Sequence, residues 1–118
     1  MAKILIADDA AFMRMRCGKM LAANGHEVVE AENGREAVDK FKSEKVDVVL
    51  LDITMPEMDG LTALREIKKA DPNARVAMVT AIGQQQVVME ALQSGARDFV
   101  VKPFQPERVL AAVEKLLK

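Results

Sequence analysis

The stretch Val48-Val49-Leu50-Leu51-Asp52 decides the fold, because four large apolar residues in a row end in a carboxylate. An apolar run of this length that contains β-branched residues predicts a strand buried on both faces. A charged carboxylate is costly to bury without a partner. We therefore expect Asp52 to lie where the strand leaves the core, facing other charged groups, a metal or water.

The composition is typical of one globular domain. The chain has 118 residues, of which 50% are hydrophobic and 30% are charged, and its net charge is −1. This balance argues against a broadly basic nucleic-acid surface and against a polybasic membrane patch. The single cysteine, Cys17, excludes an internal disulfide and a cysteine-cluster zinc site, and we expect a packed thiol. Because no run suits a bilayer span or a signal peptide, we expect one cytoplasmic domain over residues 1–118.

Short apolar runs and amphipathic segments alternate along the chain. The predicted strands are Ile4–Ala7, Glu27–Ala31, Val46–Leu51, Arg75–Val79 and Asp98–Val101. The predicted helices are Ala10–Ala23, Arg35–Ser43, a segment from Leu61 that ends by Asp71, Gln84–Gln93, and a last one from Pro106. Regular alternation of this kind predicts an α/β fold, a parallel sheet with helices on both faces.

Polar side chains stand at the ends of four predicted strands, namely Asp8-Asp9, Asp52, Thr80 and Lys102. Because the carboxyl ends of parallel strands meet at one edge, where ligands bind, we expect these groups to lie together. Three carboxylates repel one another, and Mg²⁺ with its oxygen ligands would relieve that repulsion. Lys102 and Thr80 suit an anion instead. The combination suits a phosphoryl group, with Asp52 on the central strand as the candidate nucleophile.

Each of these residues has a simpler interpretation when it is taken alone. Asp9 could cap the first helix, and Asp8 could be a solvated loop acid. Thr80 could be an ordinary turn hydroxyl, and Lys102 could be a surface lysine. Their common position at four strand ends favours a shared site over four independent roles.

The chain resembles the receiver domains of two-component response regulators over essentially its whole length. The resemblance is carried by Asp8-Asp9, Asp52, Thr80 and Lys102-Pro103, in the family's order and spacing. It is strongest to the single-domain regulators of chemotaxis. It implies a flavodoxin-like (βα)5 fold, a five-stranded parallel sheet of order 2-1-3-4-5. It also implies a cis peptide bond between Lys102 and Pro103.

The resemblance also implies roles for residues at the site. Asp52 would accept a phosphoryl group from a sensor histidine kinase, and Thr80 and Lys102 would contact the phosphoryl oxygens. Mg²⁺ would be bound by carboxylates and one backbone carbonyl. These metal ligands would be Asp9, Asp52 and Thr54, with Asp8 helping directly or through water.

The family's switch positions are occupied by Thr80 and Phe99, although the apolar pattern alone predicts Phe99 only as a core residue of the last strand. Phosphorylation would alter the face formed by the fourth helix, the fifth strand and the last helix. The implied partners are a chemotaxis-type sensor histidine kinase and a flagellar motor switch protein or phosphatase. The chain would act as a monomer and bind neither nucleic acid nor a membrane.

Other functions compete with this interpretation. Aspartyl-phosphate phosphatases usually carry a second acid two residues after the nucleophile, where this chain has Thr54. An FMN-binding module would need a Ser/Thr-rich loop in place of Asp8-Asp9 and aromatic residues, but the chain has no Trp or Tyr. A phosphate-independent interaction module would not need the full set of site residues.

Two alternatives keep the receiver fold but change its setting. A receiver excised from a larger transcription factor is disfavoured, since no linker follows the helix that ends at Lys118. A receiver of another two-component pathway stays open. We therefore expect a phosphoryl-accepting regulator that catalyses only its own phosphorylation and dephosphorylation, and not an enzyme with a separate substrate.

Overall fold

The structure is a computed structural model that describes residues 2–118, and its strands and helices alternate. The strands are β1 Lys3–Ala7, β2 Glu27–Ala31, β3 Val48–Asp52, β4 Val76–Ala81 and β5 Asp98–Lys102. The helices are α1 Ala11–Ala23, α2 Gly34–Ser43, α3 Gly60–Ala70, α4 Gln85–Gln93 and α5 Pro106–Leu117. None of these helices has the length and apolar character that crossing a membrane requires.

The five strands form one sheet of order β2-β1-β3-β4-β5, and every neighbouring pair is parallel. This confirms the predicted flavodoxin-like topology. All five residues of β3 are buried, as the stretch that ends in Asp52 predicted. Three predicted strand ends were too early, because ladder pairing continues through Asp52, opposite Val79, and through Ala81, opposite Lys102. Asp52 and Thr80 therefore belong to their strands.

The two faces of the sheet are covered by different helices. Val49 and Leu51 face a core that contains side chains of α2, α3 and α4. Val48 and Leu50, which alternate with them along β3, face a second core formed with α1 and α5. Cys17 is buried in this second core, which confirms the packed thiol, and burial raises the pKa of its thiol. β3 is therefore held from both sides, which fixes the position of Asp52 at its end.

Phe99 does not belong to the core, so the prediction made from the apolar pattern is wrong. Its side chain is 37% exposed, whereas the next residue, Val100, is buried. β5 is an edge strand, and a cavity of about 290 Å³ lies between Phe99 and Met89 and Leu92 of α4. The helix leaves this face of the strand partly uncovered, and a strand pattern cannot reveal that.

The start of α3 lies directly against the end of β3. Gly60 donates its backbone N–H to the Ile53 carbonyl oxygen over 2.7 Å. A Cβ atom at Gly60 would lie 2.0 Å from the Asp52 carbonyl oxygen, so only glycine fits there. Asp59 caps α3 by accepting from the Thr62 N–H at 2.8 Å. On the other side of the site, the Lys102–Pro103 peptide bond is cis, as the resemblance implied.

Candidate functional site

Three carboxylates meet at the C-terminal edge of the sheet. Asp8, Asp9 and Asp52 each place a carboxylate oxygen within 4.8 Å of the others. Asp8 and Asp52 are buried, with 4% and 5% of their surface exposed, while Asp9 is exposed. A cluster of carboxylate oxygens is the donor set that Mg²⁺ prefers. The residues present therefore fit the predicted cation.

The loop after β1 rules out the simpler interpretations of the acidic pair. α1 begins at Ala11 with Ala10 in the capping position, and no side chain caps this helix in the described structure. Asp9 is therefore not a helix cap, because the helix starts one residue later than predicted. Asp8 is not a solvated loop acid either, since it is buried and its Oδ1 accepts from the Ala10 N–H at 2.9 Å.

Lys102 pairs with two of the three acids. Its Nζ lies 2.9 Å from Asp52 Oδ2 and 3.2 Å from Asp8 Oδ2. These residues come from three strand ends that are far apart in sequence, so the sheet alone brings them together. Lys102 is therefore not an independent surface lysine, and its ammonium partly neutralises two buried charges.

Burial and charge compete in setting the ionisation of Asp52 and Lys102. Burial raises the pKa of Asp52 and the Asp8 charge adds to this rise, whereas Lys102 and the Thr54 N–H act in the opposite direction. For Lys102, burial alone would lower the pKa, but the hydrogen bonds and charges of Asp52 and Asp8 outweigh it, so that the pKa is raised. Lys102 therefore keeps its charge, whereas burial disfavours the ionised form of Asp52.

Arg14 supports the acidic pair from beneath, a role that the sequence analysis missed. Its Nη1 donates to the Asp8 carbonyl oxygen over 2.6 Å, and its Nε donates to Glu30 Oε1 over 3.0 Å. Arg14 is 8% exposed. The helical spacing of Arg14, Cys17 and Leu21 could have revealed that Arg14 is buried, because these three residues share the buried face of α1. An arginine on an apolar helical face requires polar partners in the interior.

The anion half of the site is built around Thr80, which is 2% exposed. Its Oγ1 lies 3.0 Å from Oε1 of Gln84, and Nε2 of the same side chain donates to Thr54 Oγ1 over 3.0 Å. The Thr54 N–H in turn donates to Asp52 Oδ1 at 3.3 Å. Gln84 was predicted only as a helix start. Its link to Thr54 spans 30 residues, so no local pattern predicts it.

The assembled site offers acidic oxygens on one side and an ammonium and a hydroxyl on the other, with Asp52 between them. Among the described residues, every buried side-chain nitrogen or oxygen has a hydrogen-bond partner. The polar groups are thus held in defined positions, which is what positioning and charge stabilisation of a phosphoryl group require.

The chain matches known proteins over nearly its whole length. A family model described as response regulator receiver domain matches residues 4–114. The chain is 60% identical to the chemotaxis protein CheY of Bacillus subtilis, covering 98% of this chain and 97% of that protein. It is 55% identical to the chemotaxis protein CheY of Thermotoga maritima, with 98% of both chains covered.

Solved structures agree with these matches. A CheX–CheY–BeF3–Mg complex from Borrelia burgdorferi matches with a TM-score of 0.93 and 39% identity, covering 99% of this chain and 90% of that chain. A response regulator receiver domain protein from Clostridium thermocellum matches with a TM-score of 0.94 and 30% identity, covering 99% and 94%. Fold and sequence therefore point to the same family.

Proposed function

Since the chain belongs to the response regulator receiver family, we propose that it is a phospho-accepting switch of chemotaxis signalling. Asp52 would accept a phosphoryl group from a sensor histidine kinase. The observation that supports this most is the arrangement around Asp52, a buried carboxylate paired with Lys102 beside two further acids. Its chemotaxis role is supported by the high identity to CheY proteins.

In the proposed transfer, a carboxylate oxygen of Asp52 attacks phosphorus while the bond from phosphorus to the kinase histidine nitrogen breaks. The electron pair of that bond returns to the histidine, and an aspartyl phosphate forms. Lys102 already lies at hydrogen-bond distance from Asp52 and would pair with a phosphoryl oxygen. Thr80 would donate its hydroxyl to another. The chain catalyses only its own phosphorylation and dephosphorylation in this scheme.

The acidic cluster would hold Mg²⁺ through Asp8, Asp9, Asp52 and the backbone carbonyl of Thr54. When bound, the ion supplies positive charge that offsets the charge of the transferring group. Arg14 maintains the backbone position of Asp8, and the burial of Asp8 and Asp52 keeps bulk water away from these oxygens.

Thr80 and Phe99 would transmit the phosphorylated state to the face formed by α4, β5 and α5. Both residues line the same cavity, and Phe99 is partly exposed within it. If Thr80 moves toward the phosphoryl group, space opens into which Phe99 can turn. A full reversal from 1:99 to 99:1 requires about 5.5 kcal/mol. One charge-assisted hydrogen bond contributes about 1.5–3 kcal/mol, so partner binding completes the switch.

The proposed partners follow from the same comparison. A CheY protein of Borrelia burgdorferi has been solved in a complex with CheX, which supports a protein partner for the phosphorylated form. We place a flagellar motor switch protein or a phosphatase at the α4–β5–α5 face, and the chain as a cytoplasmic monomer. Thr80→Ala should accept phosphate but lose the gain in partner affinity. Normal partner binding by that variant would contradict the switch.

Intact-mass measurement after incubation with acetyl phosphate and Mg²⁺ tests the acceptor role. Wild type should gain one phosphoryl group, and Asp52→Asn should gain none. Asp39→Asn is the matched control, because Asp39 is an exposed acid of α2 and should leave the adduct unchanged. No adduct on wild type, or an adduct that persists in Asp52→Asn, would contradict the proposal.

A further inference from the structure

The side-chain amide of Gln84 joins three segments around the site. Its Oε1 accepts the Ala81 N–H at 2.7 Å and lies 3.0 Å from Thr80 Oγ1. Because the Ala81 N–H can only donate, the Gln84 oxygen must face it, and the amide nitrogen is left to donate to Thr54 Oγ1. Gln84 thus connects the end of β4, the start of α4 and the loop after Asp52.

Gln84 is distinct among three consecutive glutamines. Gln85 and Gln86 are exposed, and within residues 2–118 neither makes a side-chain hydrogen bond, whereas Gln84 is half-buried and makes three. The Gln84 side chain does not cap its own helix. Its amide is therefore directed to the site and not to α4, which is more than the start of a helix requires.

We infer that Gln84 is a positioning residue that holds Thr80 in the unphosphorylated arrangement and opposes activation. The inference rests on the proposed function of Asp52. The Thr80 hydroxyl has one proton to donate. Two acceptors lie within its reach, Gln84 Oε1 at 3.0 Å and, farther away, the Ala81 carbonyl oxygen at 3.2 Å. While the hydroxyl donates to Gln84 it cannot fully serve a phosphoryl oxygen, so the phosphoryl group must replace Gln84 as the acceptor.

The same exchange would carry the signal to α4. When Thr80 leaves Gln84, the amide that also ties Ala81 and Thr54 loses one of its three partners. The segment from Ala81 to Gln84 contains exposed Ile82 and lines the cavity beside Phe99. The strength of the Gln84–Thr80 contact thus sets how readily α4 and its cavity respond to phosphorylation.

The test compares the affinity of wild type and Gln84→Met for beryllofluoride in saturating Mg²⁺, by isothermal titration or amide NMR. Methionine keeps the side-chain length and the helix propensity but removes the donor and the acceptor. A hydrogen bond present in only one state changes an equilibrium by about two- to tenfold. Gln84→Met should therefore bind beryllofluoride about two- to tenfold more tightly, while Gln86→Met should match wild type.

If Gln84 served only to stabilise the fold, Gln84→Met would lower the free energy of unfolding without raising the affinity for beryllofluoride. Equal or weaker affinity in Gln84→Met, while wild type binds, would overturn the inference and leave the acceptor role intact. Failure of wild type itself to bind would overturn both. If Gln84→Met does not fold, Gln84→Ala serves in its place. When Thr80→Val is already present, adding Gln84→Met should raise the affinity for beryllofluoride by less than about twofold. An undiminished increase in that background would also overturn the inference.

Discussion

Lys102 and Asp52 form an ion pair at the end of the central strand, with 2.9 Å between Nζ and Oδ2. The same ammonium also lies 3.2 Å from Asp8 Oδ2, so one cation serves two buried carboxylates. Both carboxylates belong to the acidic cluster. Lys102 therefore stabilises the anions and at the same time repels any dication that binds to them.

Removing this ammonium should tighten Mg²⁺ binding. Lys102→Met leaves the three acids without the cation beside them, and we expect about tenfold higher Mg²⁺ affinity by titration calorimetry. Phosphoryl acceptance should fall, because the ammonium for the phosphoryl oxygens is lost. Lys69→Met is the control for net charge, since Lys69 is exposed on α3, and it should leave both properties unchanged. Weaker Mg²⁺ binding in Lys102→Met would contradict the prediction that Lys102 opposes the binding of Mg²⁺ to these carboxylates.

The raised pKa of Asp52 predicts that this carboxylate lowers the free energy of unfolding by an amount that depends on pH. Burial raises the pKa of this carboxyl in the folded chain, so the unfolded chain loses the proton first as pH rises. As pH rises, the free energy of unfolding of metal-free wild type should therefore fall relative to that of Asp52→Asn. The fall should begin around the pKa of this carboxyl in the unfolded chain, about 4, and end where Asp52 is ionised in both the folded and the unfolded chain. Above that range the difference should stay constant.

Urea denaturation of both proteins in EDTA, at acid and neutral pH, measures this difference. At neutral pH we expect Asp52→Asn to be more stable, by on the order of 1 kcal/mol, as is common where a functional site opposes stability. Saturating Mg²⁺ at 100 times its Kd should add about 2.7 kcal/mol to wild type. If the stability advantage of Asp52→Asn became smaller as pH rises, the pKa of Asp52 would be lowered in the folded chain and not raised, which would contradict the prediction.

Arg14 should matter for both stability and metal binding. Arg14→Met removes the donor to the buried Asp8 carbonyl oxygen, and such a loss costs about 1–3 kcal/mol in the free energy of unfolding. Mg²⁺ affinity should fall as well, because Asp8 loses its support. Arg16→Met provides the control two residues away on the exposed side of α1, and it should change neither quantity. Equal behaviour of the two variants would rule out the supporting role.

Two glycines should respond in opposite directions to alanine. Gly60→Ala forces a Cβ atom against the backbone of Asp52, and overpacking of this kind costs about 1–3 kcal/mol or more. Gly18→Ala in α1 meets Val28 Cγ1 at an ordinary 3.6 Å and should gain about 0.5–1 kcal/mol from helix propensity. Thermal unfolding of both variants separates these effects, and a tolerated alanine at position 60 would contradict the close approach.

The parts of the fold that follow from local patterns were predictable from sequence. The alternation of apolar runs and amphipathic segments predicted each strand and helix, and polar residues at strand ends predicted that Asp8, Asp52 and Lys102 would meet. The strand order came from the family resemblance. Strand ends were misplaced by up to two residues, because ladder pairing with neighbouring strands decides where Asp52 and Thr80 belong.

The remaining features depend on tertiary contacts that a single sequence does not show. Phe99 is exposed because α4 leaves the edge strand partly uncovered, although its apolar character favoured the core. Gln84 meets Thr54 across 30 residues, and Arg14 meets Glu30 across 16. Polar side chains of this kind are positioned by partners that only the folded chain brings within reach.

In the proposed transfer, Asp52, and neither Asp8 nor Asp9, accepts the phosphoryl group. Borohydride reduces an aspartyl phosphate to homoserine, so peptide mass mapping after phosphorylation with acetyl phosphate and Mg²⁺ identifies the modified residue. We expect homoserine at position 52 alone, with Asp8 and Asp9 unchanged in the same digest. Homoserine at position 8 or 9, or at no position in a protein whose intact mass shows a covalent phosphoryl group, would contradict the assignment of Asp52 as the acceptor.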